Sequence, residues 1–382
     1  MEYQNLFIKS ILNDWRITAF ILSALVGYKI SSLVIKHIAP IGFYDLPAQD
    51  RTNKTDYVPR TAGITFMVSL FFAHQFKLID LPYFDTLTWG LIAFIALLGL
   101  ADDFRRLNPI TFITAGFKTK YTLIIALVFG LALGSDSGST PLGFIQSIFS
   151  KVLYINSISP LGYPSETLNF AFFGMTISPS YPLIVLGVTL LCWGMPNLFN
   201  LIDGLDGLAM GYFGLAAFMI FRFDDGTTML SPIFWGLWAS VFYLNIKKVH
   251  FLGDAGSLSM GLVLAIGALH SIKTDHIEHI LFLFAYPILD TIHVSLIRLK
   301  QGRSLGQGDH CHLHHFIWNQ TGENLKWTLG ILWTLAFLPM LRLWEENVYQ
   351  YTSLVGLGLL IMVLGFSFSV QLNRKANPSI KS

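Results

Sequence analysis

The sequence predicts an all-α polytopic membrane protein, with about eleven transmembrane helices in a single domain over residues 1–382. Its composition is one reason: 53% of the residues are hydrophobic and only 13% are charged, whereas soluble domains carry roughly 25% charged residues. Its mean hydropathy of +0.57 is a second reason. Most of the surface of such a chain must face something other than water.

The third reason is the length of the apolar segments, since a bilayer core of about 30 Å needs roughly 20 apolar residues per helix. The predicted spans cover residues 16–38, 61–78, 87–101, 119–134, 181–200, 207–222, 230–246, 256–272, 277–297, 326–344 and 350–371. Residues 135–180 interrupt this pattern, and partial alternation near their end predicts an external insertion with a short hairpin.

Lysine and arginine residues predict how the chain crosses the membrane. If the segment after the first span is cytoplasmic, the inner segments hold 17 basic residues and the outer segments hold 7. Because cytoplasmic loops are enriched in Lys and Arg, this places the N-terminus outside and the C-terminus in the cytoplasm. The net charge of +2 is too small to suggest nucleic acid as a partner.

The carboxylates of interest lie where apolar runs end. Asp102 and Asp103 close the third span, and Asp254 leads into the eighth. A further pair, Asp203 and Asp206, lies between the fifth and sixth spans. All of them fall on the predicted cytoplasmic side, whereas Asp290 lies within the ninth span. Because charges near a bilayer are costly, this clustering predicts a site that binds cations, donors or substrate.

The polar residues around the fifth span repeat at a spacing of three. Asn197, Asn200, Asp203 and Asp206 would lie along one side of a helix if that helix continued through them. The alternative is a glycine-rich turn, in which Asp is a common residue. The regular spacing favours the helical interpretation.

Two other acidic motifs also admit a plain structural explanation. Asp102 and Asp103 could cap an interfacial helix and pair with the arginines that follow them. Asp254 stands between glycines at a predicted helix start, where Asp254 or Ser257 could be the cap. The same geometry suits a phosphate, because unpaired backbone N–H groups and the helix dipole attract anions.

The predicted cytoplasmic loop 298–325 is rich in histidine, with four of the eleven histidines between residues 310 and 315. A zinc site is one interpretation. Oxygen ligands dominate the other motifs, however, and Cys311 is the one cysteine nearby. Histidines also donate hydrogen bonds to phosphate oxygens and protonate near neutral pH. We therefore expect this loop to bind phosphate rather than zinc.

Taken in order, these motifs resemble the polyprenyl-phosphate N-acetylhexosamine-1-phosphate transferases. The resemblance rests on the Asp-Asp pair, the Asn-x-x-Asn-x-x-Asp-Gly-x-Asp-Gly segment that begins at Asn197, the Gly-Asp-x-Gly-Ser segment at 253–257, and His312-Leu-His-His. Pro59-Arg60-Thr-Ala-Gly63 looks like another motif of the family. The details are most similar to the bacterial undecaprenyl-phosphate GlcNAc-1-phosphate transferases of glycosyltransferase family 4.

The resemblance implies an enzyme of the bacterial cytoplasmic (inner) membrane with its active site at the cytoplasmic face. Such an enzyme transfers N-acetylglucosamine-1-phosphate from UDP-GlcNAc to undecaprenyl phosphate and releases UMP. It initiates a cell-envelope polysaccharide of the O-antigen, common-antigen or teichoic-acid type. The implied cofactor is Mg²⁺, for which Mn²⁺ can substitute. The implied partners are the UDP-sugar, the carrier lipid, the bilayer and, as one assembly, a second copy of the chain.

The resemblance also implies roles for particular residues. Asp254 would bind the metal, with Asp203 as a second candidate. The implied catalytic residues are Asp102, Asp103, Asp203 and Asp206. The implied substrate-binding residues are Arg60, Lys120, Asn197, Asn200, Arg303, His312, His314 and His315.

Two alternatives stay open at this point. One is the same reaction with another UDP-N-acetylhexosamine or with UDP-MurNAc-pentapeptide. The more distant one is an ion-coupled transporter, because carboxylates and histidines in a membrane also form proton relays. A transporter would be expected to place these groups near the midplane, between repeat-related halves. Here they gather at one predicted face, and we detect no internal repeat in the sequence.

Overall fold

The computed structural model describes residues 15–45, 58–79, 81, 84, 86–105, 120–124, 126–127, 170–172, 175–177, 181–221, 231–271, 277–304, 310–344 and 347–376. The fold of this part is built from α-helices. Their bounds are α1 Trp15–His37, α2 Ala62–Gln75, α3 Thr86–Arg105, α4 Tyr181–Ile202, α5 Leu208–Phe221, α6 Pro232–Ile246, α7 Gly253–Ser271, α8 Glu278–Leu283, α9 Ala285–Lys300, α10 Leu313–Gln320, α11 Leu325–Met340 and α12 Asn347–Ala376.

Helices occupy the predicted spans wherever the structure describes them. The fourth span, 119–134, is described only in part, and its described residues 120–124 and 126–127 are helical. Two details differ from the prediction. The ninth span is divided at Phe284 into α8 and α9. The histidine-rich segment, which we expected to be a loop, contains α10.

The strands are short and form two antiparallel pairs. β1, Tyr44–Asp45, pairs with β2, Val58–Pro59. β3, Phe170–Phe172, pairs with β4, Met175–Ile177. This second pair is the hairpin predicted within residues 135–180, and the rest of that insertion lies outside the described residues.

The apolar helices of the described part are compatible with a membrane protein. Two of them, α1 and the Asn347–Leu372 part of α12, are long and apolar enough to cross a bilayer. Their apolar windows are only 17% and 28% buried, so their large hydrophobic side chains lie mostly on the surface rather than in a core. Exposed apolar residues such as Leu25 and Met362 show this surface directly.

Helix α7 is the centre of the bundle. Residues 253–268 are all buried, and α7 packs against α2, α3, α4 and α5. Its sequence is rich in glycine, alanine and serine. Such small residues at an interface allow the backbones of two helices to come close. A helix surrounded in this way holds its own N-terminus in a fixed place.

Glycines form the closest of these helix contacts. A Cβ atom added at Gly99 of α3 would overlap the backbone of Asp254 and Ala255 at the start of α7. One added at Gly63 of α2 would overlap the backbone of Gly256. The first turn of α7 is therefore clamped between α2 and α3 by backbone contact, which leaves little room for it to shift.

Main-chain hydrogen bonds align the segment before α2 with the segment before α7. The Phe251 N–H donates to the Pro59 carbonyl at 2.7 Å, and the Ala62 N–H donates to the Phe251 carbonyl at 2.9 Å. The Gly63 N–H donates to the Leu252 carbonyl at 3.1 Å. This pairing brings Arg60 beside the first turn of α7.

Two glycines of α3 provide a matched test of this packing. We expect Gly99→Ala to reduce the free energy of unfolding by about 1–3 kcal/mol, because an added methyl group has to displace backbone atoms of α7. Gly90→Ala should leave stability unchanged or raise it by about 0.5–1 kcal/mol, since alanine is the better helix former and nothing lies within 4 Å of the added Cβ. Thermal unfolding of both variants in the same detergent measures the difference, and equal melting temperatures would contradict the packing described here.

Candidate active site

The start of α7 carries Asp254, and a second helix caps it. The Asp103 carboxylate, at the end of α3, accepts hydrogen bonds from the Asp254 N–H at 3.0 Å and the Ala255 N–H at 3.1 Å. Gly253 makes the entry to the helix, with a φ of +75° that favours glycine. The cap of α7 is thus Asp103 rather than Asp254 or Ser257. The N–H groups of Asp254 and Ala255 already donate to its carboxylate, so these two are not left unpaired for a phosphate.

Arg60 is the cation of this cluster. Its guanidinium lies 3.1 Å from Asp103 Oδ1 and 3.8 Å from Asp254 Oδ1. The pairing of residues 59–63 with 251–252 places it there. Sequence analysis assigned Arg60 to substrate binding, and the structure adds that it also compensates two carboxylates.

The structure separates the two neighbouring acids of α3. Asp103 is fully buried, and both its oxygens accept hydrogen bonds from the start of α7. Asp102 retains 9% exposure, so of the two it lies nearer the surface of the site. Both acids are thus largely buried, and Asp103 is the one that accepts the backbone hydrogen bonds of α7.

Asp103 and Asp203 both lie beyond the ends of the predicted spans, and both have perturbed acidity. Burial raises the pKa of Asp103 to about 7; the negative charge of Asp254 adds to the shift, while Arg60 and two backbone N–H groups oppose it. Desolvation raises the pKa of Asp203 well above its usual value, Arg60 lowers it, and the charges of Asp254, Asp206 and Asp103 raise it further. Asp103 and Asp254 thus pair with Arg60, and Asp203 lies within electrostatic reach of all three.

The row that begins at Asn197 is helical only in its first half. Helix α4 ends at Ile202, so Asp203 and Asp206 lie in a turn, and our prediction of one continuous helical side was wrong for these two. The two asparagines brace the helix. Asn200 donates to Ser257 Oγ of α7 at 2.8 Å, and Asn197 donates to the Trp193 carbonyl at 2.6 Å and to Thr122 Oγ1 at 3.3 Å.

Two residues that sequence analysis did not select hold this turn in place. Asn245, at the end of α6, accepts from the Gly207 N–H at 2.8 Å and donates to the His250 carbonyl at 3.1 Å. Lys248 lies 3.7 Å from Asp206 Oδ2. The sequence offered a signal for Asn245, because it is a polar amide at the end of an apolar run. It offered none for Lys248, because basic residues commonly follow a membrane span.

The histidine segment joins the site at the same turn. The ring of His314 lies so close to Gly204 that a Cβ atom there would overlap it. The ring centroids of His312 and His314 are 5.4 Å apart and nearly parallel, and those of His314 and His315 are 4.3 Å apart. The segment therefore borders the turn that carries Asp203.

An acid within the ninth span orients this segment. Asp290 Oδ2 lies 2.9 Å from His312 Nδ1, and Asp290 Oδ1 accepts from the Leu313 N–H at 2.7 Å. Sequence analysis noted Asp290 without giving it a role, although an ionisable residue in a span is by default a candidate functional residue.

Two predicted substrate-binding residues lie toward the surface. Lys120 is exposed and precedes by two residues Thr122, the contact of Asn197. Arg303 is partly exposed and follows α9 by three residues, on the chain that leads to the histidines. The structure thus brings most of the predicted residues together and leaves these two at the periphery.

The donor set suits a hard divalent cation. Carboxylate oxygens are the ligands that Mg²⁺ prefers, and Asp203 lies within electrostatic reach of Asp103, Asp206 and Asp254. Asp254 and Asp203 are the residues of this set that would hold such an ion, because Asp103 is engaged with the backbone.

Comparisons with known proteins find relatives among the phospho-sugar transferases. A probable undecaprenyl-phosphate N-acetylglucosaminyl 1-phosphate transferase of Bacillus subtilis (strain 168) is 26% identical over 312 residues, which cover 78% of this chain and 76% of that protein. An undecaprenyl-phosphate α-N-acetylglucosaminyl 1-phosphate transferase of Escherichia coli (strain K12) is 30% identical over 190 residues, 46% of this chain and 48% of that protein.

A phospho-N-acetylmuramoyl-pentapeptide-transferase of Staphylococcus haemolyticus is 28% identical over 313 residues, which cover 74% of this chain and 85% of that protein. The sequence profile described as glycosyl transferase family 4 matches residues 86–272. That range contains the carboxylates of α3, the turn after α4 and the start of α7. The profile match and these relatives support the assignment of the chain to glycosyl transferase family 4.

Proposed function

We propose that this chain transfers N-acetylglucosamine-1-phosphate from UDP-GlcNAc to undecaprenyl phosphate and releases UMP. The observation that carries the proposal is the pairing of Asp103 and Asp254 with Arg60, with Asp203 within electrostatic reach of all three and the histidine segment beside its turn. With a divalent cation bound, such a set can compensate and orient two phosphate-bearing substrates. The names of the Bacillus subtilis and Escherichia coli relatives support the choice of sugar and carrier.

We place the enzyme in a bacterial inner membrane, with the N-terminus outside and the active site at the cytoplasmic face. The basic-residue asymmetry supports this orientation. The exposed apolar surfaces of α1 and α12 support contact with lipid. The lipid-linked product would start a cell-envelope polysaccharide.

The chemistry is the attack of one phosphate on another. An oxygen of undecaprenyl phosphate forms a bond to the β-phosphorus of the UDP-sugar, and the bond from that phosphorus to the oxygen bridging to the α-phosphate breaks. Both reactants are anions, so the site has to compensate charge and align them. Arg60, Lys120 and the histidines are the groups of this chain that can offer donors to the phosphate oxygens.

We propose Mg²⁺ as the cofactor, held by Asp254 with Asp203 as a second ligand. When bound, the ion would neutralise part of the phosphate charge. Within this arrangement, Asp103 acts indirectly, because its carboxylate fixes the helix start that presents Asp254. Asp102 is then the acid that orients or deprotonates the carrier phosphate.

A panel of donors tests the proposed function. Purified protein is given undecaprenyl phosphate, Mg²⁺ and, separately, UDP-GlcNAc, UDP-GalNAc and UDP-MurNAc-pentapeptide, and the lipid product is identified by mass spectrometry. We expect UDP-GlcNAc to yield lipid-linked GlcNAc and UMP. Turnover with UDP-MurNAc-pentapeptide alone would assign the chain to the activity named for the Staphylococcus relative, and no lipid product with any donor would refute the transferase proposal.

Asp254 should be required for metal-dependent turnover. We expect Asp254→Asn to lower turnover on the order of 10³-fold, by analogy with the loss of a group that stabilises transition-state charge. The backbone N–H that donates to Asp103 remains in the variant, so its melting temperature should stay close to that of the parent. Glu323→Gln, which changes an exposed carboxylate between α10 and α11, is the control. Near-normal, Mg²⁺-stimulated turnover in Asp254→Asn would refute the ligand assignment.

Substitutions of Asp102 and Asp103 should have different effects, one on turnover and the other on stability. We expect Asp103→Asn to destabilise the protein by about 1–3 kcal/mol, because the amide sets an N–H₂ group against a buried backbone donor. Asp102→Asn should keep the melting temperature and lose roughly 10²-fold or more in turnover. Melting curves and initial rates measured on the same preparations separate the two. A destabilised Asp102→Asn beside a stable Asp103→Asn would reverse the assignment.

A further inference from the structure

The contact between α9 and the histidine segment involves a buried acid that the proposed reaction does not use directly. Asp290 is fully buried. One of its oxygens lies 2.9 Å from His312 Nδ1, and the other accepts from the Leu313 N–H at 2.7 Å. A single carboxylate thus holds both the ring of His312 and the backbone at the first residue of α10.

This contact sets the protonation pattern of the ring. An ionised carboxylate only accepts hydrogen bonds, so the His312 nitrogen that faces it must carry the proton. The second nitrogen, Nε2, lies on the opposite side of the ring, away from Asp290. When His312 is protonated, Nε2–H becomes a charged donor, and a charged donor binds phosphate oxygens more strongly than a neutral one.

The same carboxylate fixes the position of the neighbouring histidine. His314 follows Leu313 in the first turn of α10, and its ring lies against Gly204 in the turn that carries Asp203. The rings of His312 and His314 are stacked with their planes 16° apart. By anchoring Leu313, Asp290 therefore holds the histidine segment against the acidic turn.

A metal site is the competing explanation for this cluster. Asp290, His312 and His314 each offer one ligand atom, and these atoms lie within 4.8 Å of one another. The carboxylate is, however, already bonded to a ring nitrogen and to a backbone N–H. A metal bound between Asp290 Oδ2 and His312 Nδ1 would have to displace the hydrogen bond between these two atoms, so at this contact the geometry favours a hydrogen-bonded pair.

We propose that Asp290 is a positioning residue that acts through His312, holding the Nδ1–H and turning Nε2 toward the substrate, where the Nε2–H of the imidazolium form donates to an anionic phosphate. This inference rests on the proposed function for the identity of the anion. The arrangement follows a general pattern in which a carboxylate fixes the tautomer and orientation of a working histidine.

Asp290→Asn is the informative variant. The Asn side-chain oxygen can still accept from the Leu313 N–H, which preserves the anchor of α10. Its N–H₂ group then faces His312 Nδ1 and forces that nitrogen to be the acceptor. We expect turnover to fall roughly 10- to 100-fold, the usual loss when an orienting partner is changed, with little change in melting temperature.

A double-mutant cycle distinguishes positioning from a purely structural role. If Asp290 acts through His312, His312→Gln and the double variant Asp290→Asn/His312→Gln should have equal rates within about twofold, because the second change has nothing left to disturb. If the rate loss of the double variant is instead the product of the losses of the two single variants, the proposal is overturned. Glu323→Gln, which likewise replaces a carboxylate by an amide but at an exposed position, is the control, and it should leave turnover unchanged.

A spectroscopic measurement keeps the proposal independent of activity and of the folding of Asp290→Asn. In protein labelled with ¹⁵N-histidine, the ring signals absent from His312→Gln belong to His312. We expect the parent to show a protonated, hydrogen-bonded Nδ1; an Nδ1 without a proton would overturn the proposal.

Elemental analysis of the same sample tests the metal explanation, and one zinc per chain that is lost in His312→Gln would also overturn the proposal. Failure of the proposed function is distinguishable from either result, since it appears as absence of lipid product in the parent protein while the ring signals remain measurable.

Discussion

Much of this structure depends on where the Asp103 carboxylate lies. It is fully buried, yet it accepts two backbone hydrogen bonds from the start of α7 and pairs with Arg60. A buried charge is tolerated when it is paired and hydrogen-bonded, and it is costly when either partner is removed. The carboxylate thus links α3, α7 and the segment before α2, which together present Asp254.

The first turn of α7 is held in place because the backbones of α2 and α3 come unusually close to it. Gly63 and Gly99 leave no side chain between α7 and the helices beside it. At that separation the first turn of α7 has one position, and the Asp103 oxygens meet two adjacent N–H groups. The glycines and Asp103 therefore act together. The carboxylate can reach the N–H groups of α7 only because the helices lie close, and those buried N–H groups need the carboxylate as a hydrogen-bond partner.

The sequence was sufficient to predict where the helices lie, and less so to predict which residues contact each other around the candidate site. Apolar runs located α1 to α7 because burial or lipid contact acts over whole segments. The role of Asp103 was not predictable, because its partners lie 151 and 152 residues away along the chain. The end of α4 at Ile202 was missed because a spacing of three fits a helix as well as the turn that forms. Asn245 was missed because one amide carries no periodic signal.

The cap on α7 has a consequence for how the protein is made. Asp103 accepts a hydrogen bond from the backbone of Asp254, which follows it by 151 residues. At roughly 5–20 residues per second, the ribosome needs about 8 to 30 s to add those residues. During that interval the nascent chain holds Asp103 without the helix that it caps. Arg60 is already present, since it precedes Asp103 by 43 residues and the two side chains form an ion pair. The main-chain pairing with residues 251–252 that holds Arg60 beside α7 forms only after those residues are translated, so the cap on α7 and the final position of Arg60 are completed together, late in synthesis.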